Sequence, residues 1–225
     1  MAGTYEIEIK SLLGKASEAE RLKRAMRELD PSVSLVSSNA QLNHYFEGGD
    51  PTRLAYTFAP HVSPEAVEKM RTIAAEGKSI SVRTRGVDGT SRIVMKASIG
   101  DDSSANGVMR MEVDEQVPLS LEEVDALVLS CGYSYQAKWS REREEYQLGD
   151  VAVCLDKNAG YGYLAEFEKV VHDASEADGA RKELETLMEH LGVSELPQDR
   201  LERMFAHYNA HWPEYYGTDN IFTIE

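Results

Sequence analysis

Eight stretches of this chain alternate apolar and polar residues with a period of two, the pattern of strands whose two faces meet different surroundings. They run over Tyr5–Ser11, Leu35–Glu47, Ser79–Arg85, Arg92–Gly100, Val108–Val117, Ser134–Gln147, Asp150–Asp156 and Tyr163–Val171. Val87-Asp88-Gly89-Thr90 and Leu148-Gly149 have the composition of hairpin turns, so neighbouring strands are expected to run antiparallel. Strands in this number expose a long hydrogen-bonding edge unless the sheet closes on itself, which favours a barrel.

Helices are marked by their ends. Ser17 to Glu20 reads as a capping box ahead of Leu22, Ala25, Met26 and Leu29, with Asp30-Pro31 as the stop. Ser63-Pro64 opens a helix that Gly77 closes, and Ser120 to Glu123 caps another that ends at Gly132. Ser175 starts a fourth with Leu184, Leu187, Met188 and Leu191 on one side and Gly192 after it, and a fifth is expected from about Gln198 to Ala210. No Pro/Ser-rich linker interrupts the chain. One domain is therefore expected over 1–225, with the barrel at about 5–171 and a helical C-terminal extension at about 175–225.

Charge narrows the partners. Of 225 residues, 24 are Lys or Arg and 39 are Asp or Glu, a net charge of −15 that repels nucleic-acid phosphates and anionic lipid. No nucleic acid and no membrane partner is expected, and no apolar run approaches the roughly 20 residues of a membrane span. The two cysteines, Cys131 and Cys154, have no metal-ligand spacing, and the first residues lack a signal peptide's basic start and apolar core. A reduced, cytoplasmic protein is the expectation.

The polar faces of the strands carry full charges of both signs. Glu6, Glu8 and Lys10 share a face, as do Arg83 with Arg85, Arg92 with Lys96, Arg110 with Glu112 and Asp114, Arg141 with Arg143, and Glu166 with Glu168. Same-face neighbours lie roughly 7 Å apart, where like charges repel by about 2 kcal/mol at an effective dielectric near 20. On an open, solvated face that repulsion matters little; in an enclosure it needs counter-charge. Carboxylate pairs suit a hard divalent cation, and guanidinium and ammonium groups suit a phosphate chain. Together they describe a site for a metal–polyphosphate complex.

The order of these elements resembles the CYTH family, also called triphosphate tunnel metalloenzymes. Glu6-Ile7-Glu8-Ile9-Lys10 is similar to its opening E-x-E-x-K strand, and Arg83-Thr84-Arg85 to its paired-arginine strand. Arg92 to Lys96, Arg110-Met111-Glu112 and Arg141 to Tyr146 follow in the family's order. Leu155-Asp156 and then Gly160 to Glu168 resemble its closing segment. The resemblance runs from Tyr5 to about Lys169 and implies an α+β fold: an eight-stranded antiparallel β-barrel forming a tunnel, with helices packed outside. It further implies that Glu6, Glu8, Glu166 and Glu168 bind Mg²⁺ or Mn²⁺, and that Glu6, Glu8, Asp156 and Glu168 carry catalysis. Lys10, Arg83, Arg85, Lys96, Arg141 and Arg143 would hold phosphate, with Arg110 and Glu112 in support.

Three features depart from the family pattern. Asn43-His44-Tyr45-Phe46 stands where Asp-x-Tyr-Phe is common, the helix from Ser63 to Glu76 resembles an insertion, and the tail from Pro197 lies outside the resemblance. His207 and His211 have the i, i+4 spacing of a metal pair but no third ligand in sequence, so a packed helix face is expected. The activity implied is metal-dependent hydrolysis of a small-molecule triphosphate: inorganic tripolyphosphate, thiamine triphosphate or a nucleoside triphosphate. The alternatives are a class IV-type adenylate cyclase releasing cyclic AMP and pyrophosphate, and a polyphosphate-binding module without catalysis.

Overall fold

A computed structural model of the chain describes residues 5–98 and 110–224. The ends of two expected strands, residues 99–100 and 108–109, lie outside the described residues, as does the side chain of Arg110. The elements are β1 (Tyr5–Gly14), α1 (Ala16–Leu29), β2 (Ser34–Gly48), α2 (Pro51–Phe58), α3 (Pro64–Glu76), β3 (Lys78–Val87), β4 (Thr90–Ser98), β5 (Arg110–Val117), α4 (Leu121–Ser130), β6 (Tyr133–Leu148), β7 (Val151–Asn158), β8 (Gly162–Val171), α5 (Ala177–His190) and α6 (Gln198–Tyr215). All eight expected strands are present in one antiparallel sheet of order β1-β8-β7-β6-β2-β3-β4-β5, in an α+β chain. Among the described residues that order ends on β1 and β5 and contains no β1–β5 ladder, so the expected closure of the sheet is not made by backbone pairing there.

The chain divides into two compact units, residues 1–40 with 140–225, and residues 41–139. In the first, Ile9, Val153, Leu155, Ala165 and Phe167 project from β1, β7 and β8 into a core with Leu22 and Met26 of α1 and Leu184 and Met188 of α5. In the second, Phe46, Val82, Ile93, Met95 and Val113 pack with Leu54 and Phe58 of α2, Met70 and Ile73 of α3, and Val124 and Val128 of α4. These are the apolar faces that the period-two pattern defines, and burial of each large aliphatic side chain contributes roughly 1.5–3 kcal/mol. The polar faces are consequently the other side of the same strands.

Local chemistry explains most element ends. Asp88 and Gly89 both have positive φ, as a type I′ hairpin turn requires between β3 and β4. Ser63 caps α3 through Ala66 N–H with Pro64 in its first turn, and Ser120 with Glu123 completes a capping box on α4. The box expected at Ser17 is not formed: α1 begins two residues earlier, with Lys15 as N-cap and no side-chain cap, so Ser17 lies inside the helix. α2 is an element the periodicity missed, being only 8 residues long, although Asp50 accepts from the N–H groups of Thr52 and Arg53 with Pro51 following.

The tail is part of the first unit. Gly160 N–H donates to Asn220 O (3.0 Å) and Phe222 N–H to Gly160 O (2.6 Å), a parallel bridge with the turn joining β7 and β8. Tyr161, Tyr208, Tyr215 and Phe222 pack there as an aromatic group, with His207 stacked on His211 and in contact with Phe222. The two histidines thus belong to a packed surface, as expected.

Gly160 has φ +90°, and a Cβ on it would lie 2.6 Å from the Tyr208 ring and 3.0 Å from Phe222. Gly89 has φ +79° but open space around a Cβ. Gly89→Ala is therefore expected to cost about 1 kcal/mol for the backbone alone. Gly160→Ala should cost about 3 kcal/mol, because the rings must also move. Urea midpoints of the two variants check this; equal losses would mean that the tail does not press on the turn.

Candidate functional site

Cross-strand register gathers the charged residues of the first unit on one face. β1 pairs β8 with Lys10 opposite Glu166 and Glu8 opposite Glu168; β7 pairs β8 with Cys154 opposite Glu166; β6 pairs β7 with Arg143 opposite Asp156. Partners across a ladder share a face. Lys10, Arg141 and Arg143 therefore lie with Glu6, Glu8, Glu145, Asp156, Glu166 and Glu168, three cations among six carboxylates.

Asp156 is the centre of this group and is fully buried. Arg143 grips it with a two-pronged fork, Nε to Oδ1 and Nη2 to Oδ2 at 2.6 Å each, while Arg141 Nη1 donates to Oδ2 at 2.9 Å. Arg143 Nη2 also donates to Glu166 Oε2 at 2.5 Å. Lys10 pairs with Glu8 and stands 3.8 Å from Glu166. Burial opposes charge on the Arg143 guanidinium, but its hydrogen bond to Asp156 and the charges of Asp156 and Glu166 outweigh it and raise the pKa. Burial likewise works to raise the Glu166 pKa, yet Arg143, Lys10 and Arg141 hold it below its ordinary value. Cys154 is pushed up to about 12, by burial first and then by the Glu166, Asp156 and Glu145 charges against the opposing Arg143, so its thiol stays protonated. Glu6 is exposed.

In the second unit the ladders of β2 to β5 place Asn43 opposite Arg85, Tyr45 opposite Arg83, Arg85 opposite Arg92 and Lys96 opposite Glu112. On that face the cations Arg83, Arg85, Arg92 and Lys96 lie with the carboxylates Glu47, Glu112 and Asp114. Asp114 receives Arg85 Nη1 at 3.0 Å and Arg92 Nε at 2.5 Å, and Arg92 Nη2 reaches its backbone oxygen at 2.8 Å. Arg85 Nε donates to Asn43 Oδ1 at 3.2 Å, and Lys96 pairs with Glu112 at 2.7 Å. Arg83 is different. Its Nη1 donates to the Tyr45 hydroxyl at 2.9 Å, its guanidinium lies 5.6 Å from the Tyr45 ring centre, and its buried Nε has no hydrogen-bond partner among the described residues.

The charges expected to need a ligand for compensation are thus largely compensated by neighbouring strands. Glu8 and Glu166 are engaged by cations, and among the described residues no three His, Cys, Asp or Glu side chains converge as a metal-holding group. The donor set still fits a hard divalent ion, since Glu6, Glu8, Glu166 and Glu168 offer oxygen ligands on one face and Glu8 lies directly opposite Glu168. The sequence reading gave no role to three residues that contact its candidate cations, Asn43, Tyr45 and Asp114, nor to Arg92, which shares Asp114 with Arg85. Arg92 and Asp114 were placed on the charged face but given no role. Asn43 was set aside for departing from a pattern, and Tyr45 was read only as part of a strand. Alternation already put all four on that face.

A CYTH domain model matches residues 65–200, more than half of the chain. This chain belongs to the CYTH family. The matched segment holds Arg83, Arg85, Lys96, Arg141, Arg143, Asp156, Glu166 and Glu168, while Glu6, Glu8 and Lys10 precede it. Adenylate cyclase CyaB of Aeromonas hydrophila is 24% identical over 192 residues, 85% of this chain and 83% of that protein. The PH1819 protein of Pyrococcus horikoshii OT3 shares the fold with a TM-score of 0.59 at 17% identity, over 90% of this chain and 99% of that one. A putative adenylate cyclase from Vibrio parahaemolyticus does so with a TM-score of 0.59 at 13% identity, over 91% and 99%. No helix among the described residues of this CYTH protein is long and apolar enough to cross a membrane.

The Glu166 carboxyl is held below its ordinary pKa. Its ionised form therefore contributes stability above the unfolded value of about 4.3, and that contribution is lost as pH falls through the depressed folded value. Glu166→Gln, compared with wild type in chelator, should lower the urea midpoint at pH 7, and the gap should narrow by about pH 3. A gap of equal size at both pH values would mean that Arg143 and Lys10 do not stabilise the ionised carboxylate.

Proposed function

We propose that this protein hydrolyses a small-molecule triphosphate to a diphosphate and orthophosphate in a reaction that requires Mg²⁺ or Mn²⁺. The observation that carries this reading is Arg83, a half-buried guanidinium that, among the described residues, has a neutral phenol as its polar partner and an Nε without an acceptor. A buried donor without a partner costs about 1–3 kcal/mol, and a phosphate oxygen is the acceptor that a guanidinium matches best. Among the described residues its face carries more cations, Arg83, Arg85, Arg92 and Lys96, than carboxylates, Glu47, Glu112 and Asp114, in a chain of net charge −15, which suits a polyanion.

In this reading Arg83, Arg85 and Lys96 of the second unit, and Lys10, Arg141 and Arg143 of the first, bind and orient phosphate oxygens. Glu6, Glu8 and Glu168, with Glu166, would hold the metal, and Asp156 would fix the directions of Arg141 and Arg143. A divalent ion bound there would neutralise charge on the terminal phosphoryl group and polarise it. Water would add to that phosphorus and lose a proton to solvent, the anhydride P–O bond would break, and the leaving diphosphate would take the electron pair. Glu112 would orient Lys96; Arg110 stays in the reading on the sequence alone.

Cyclic AMP formation is the second reading, favoured by the similarity to the cyclase CyaB. Incubation with ATP, thiamine triphosphate and tripolyphosphate under Mg²⁺ or Mn²⁺ separates the two. Orthophosphate and pyrophosphate from tripolyphosphate, with no turnover in excess chelator, are expected. Cyclic AMP as the main product from ATP, with tripolyphosphate uncut, would establish the cyclase instead.

Glu6→Gln and Glu168→Gln should each lower turnover at least ~10²-fold, the scale of losing an electrostatic contact in a transition state. Arg83→Ala should leave melting in the absence of ligand nearly unchanged, since no carboxylate among the described residues loses its partner, and should remove most of the rise that tripolyphosphate produces in wild type. Lys96→Ala should remove that rise too, but with a small loss of stability from Glu112. A ligand-induced rise intact in both variants would place these cations outside the phosphate site.

A further inference from the structure

On the opposite face of β2 and β3 lies a polar group that the proposed chemistry does not use. Asp125 of α4 is 4% exposed. Its Oδ2 lies 2.7 Å from His44 Nδ1 and accepts from the Tyr135 hydroxyl at 2.6 Å, and its Oδ1 accepts from Thr84 Oγ1 at 2.6 Å. Lys138 Nζ stands 4.0 Å from Oδ2 and 4.2 Å from the centre of the Tyr135 ring. Tyr135 also stacks on Phe46 at 5.0 Å. One carboxylate therefore holds β2, β3 and β6 to α4.

The register gives this arrangement its meaning. His44 and Thr84 are direct partners in the β2–β3 ladder, and the pairs on either side of them are Asn43–Arg85 and Tyr45–Arg83. Side chains alternate along a strand, so pinning the His44–Thr84 pair from one face fixes the directions in which those flanking pairs leave the other. Stability alone does not call for such a group. An apolar residue could fill the space without the cost of desolvating a carboxylate. Burial works against the Asp125 charge, but the His44, Thr84 and Tyr135 hydrogen bonds more than offset it, so the carboxyl stays ionised below its ordinary pKa.

We infer that Asp125 is a positioning residue which, through Thr84 and His44, holds Arg83 and Arg85 in the geometry that grips the phosphate chain. This rests on the phosphate role proposed for those two arginines. It adds a buried partner on the far face of the sheet that the E-x-E-x-K and paired-arginine motifs do not contain.

Isothermal titration of the full chain with tripolyphosphate is the test, on wild type, Asp125→Asn, Thr84→Val, Arg83→Ala and the Asp125→Asn/Arg83→Ala double variant. Asp125→Asn and Thr84→Val, both checked as folded by circular dichroism, should weaken binding about tenfold, as losses in a supporting shell do. In the Arg83→Ala background the loss from Asp125→Asn should shrink to about threefold or less, because residues acting through one another are not additive. A loss that multiplies in full in that background, or binding within about twofold of wild type in both single variants, would overturn the role of Asp125. If Asp125→Asn does not fold, Thr84→Val decides, since it removes one hydrogen bond and keeps the side-chain shape. Failure of wild type to bind tripolyphosphate would instead overturn the phosphate reading itself.

Discussion

Ion pairing between neighbouring strands is the interaction on which both charged faces depend. Asp156 is fully buried, and a carboxylate there is tolerable only because Arg141 and Arg143 satisfy it with three hydrogen bonds. Through Arg143 the same network reaches Glu166, and through Glu166 and Glu8 it reaches Lys10. Three strands beside β6 are thereby tied on their polar side as firmly as the Ile9, Val153 and Phe167 core ties them on the other. Removing one partner from such a chain leaves another charge buried and alone, which is why loss of a single member is costly even where the intact pair contributes little net stability.

Most of the fold was legible because two periodicities carried it. Alternation located all eight strands and assigned each residue to a face, and the ladders then placed Arg83, Arg85, Lys96 and Glu112 together as that assignment required. Caps located α3 and α4 because Ser63 and Ser120 bind the backbone N–H groups that a helix start leaves free. Periodicity could not find α2, whose 8 residues give little more than two turns. It also could not say whether the outermost strands pair, since alternation describes the faces of a strand and not its edges. The start of α1 went the other way: Ser17 carries the residues of a capping box, yet helical geometry already begins at Ala16.

Partnership was the part of the site that sequence could not express. Like charges two residues apart look like mutual repulsion when a strand is read alone. Across the ladder several of those charges meet a counter-charge or an acceptor from another strand, and register decides which. Glu166 meets Lys10 and Arg143, and Arg85 meets Asn43 and Asp114. Asn43 illustrates the loss most clearly, because a residue dismissed for departing from a motif proves to hold Arg85 through its side-chain oxygen. An amide accepts the hydrogen bond without neutralising the guanidinium, and Arg85 shares the Asp114 carboxylate with Arg92.

A net charge is a sum and says nothing about place. The chain carries −15, yet the described face of the second unit carries more cations than carboxylates, and the face of the first carries twice as many carboxylates as cations. Within that pattern Arg83 stands apart, since every other candidate phosphate ligand with a charged partner could be explained by stability alone. Among the described residues its polar contacts are a phenol hydroxyl and the face of the same ring, and both orient a guanidinium without cancelling its charge. An apolar side chain at that position would pack without the desolvation cost. Holding an uncompensated cation in a fixed direction makes physical sense when the missing charge arrives with a ligand, and that is the sense in which the geometry of a single arginine carries the proposed function.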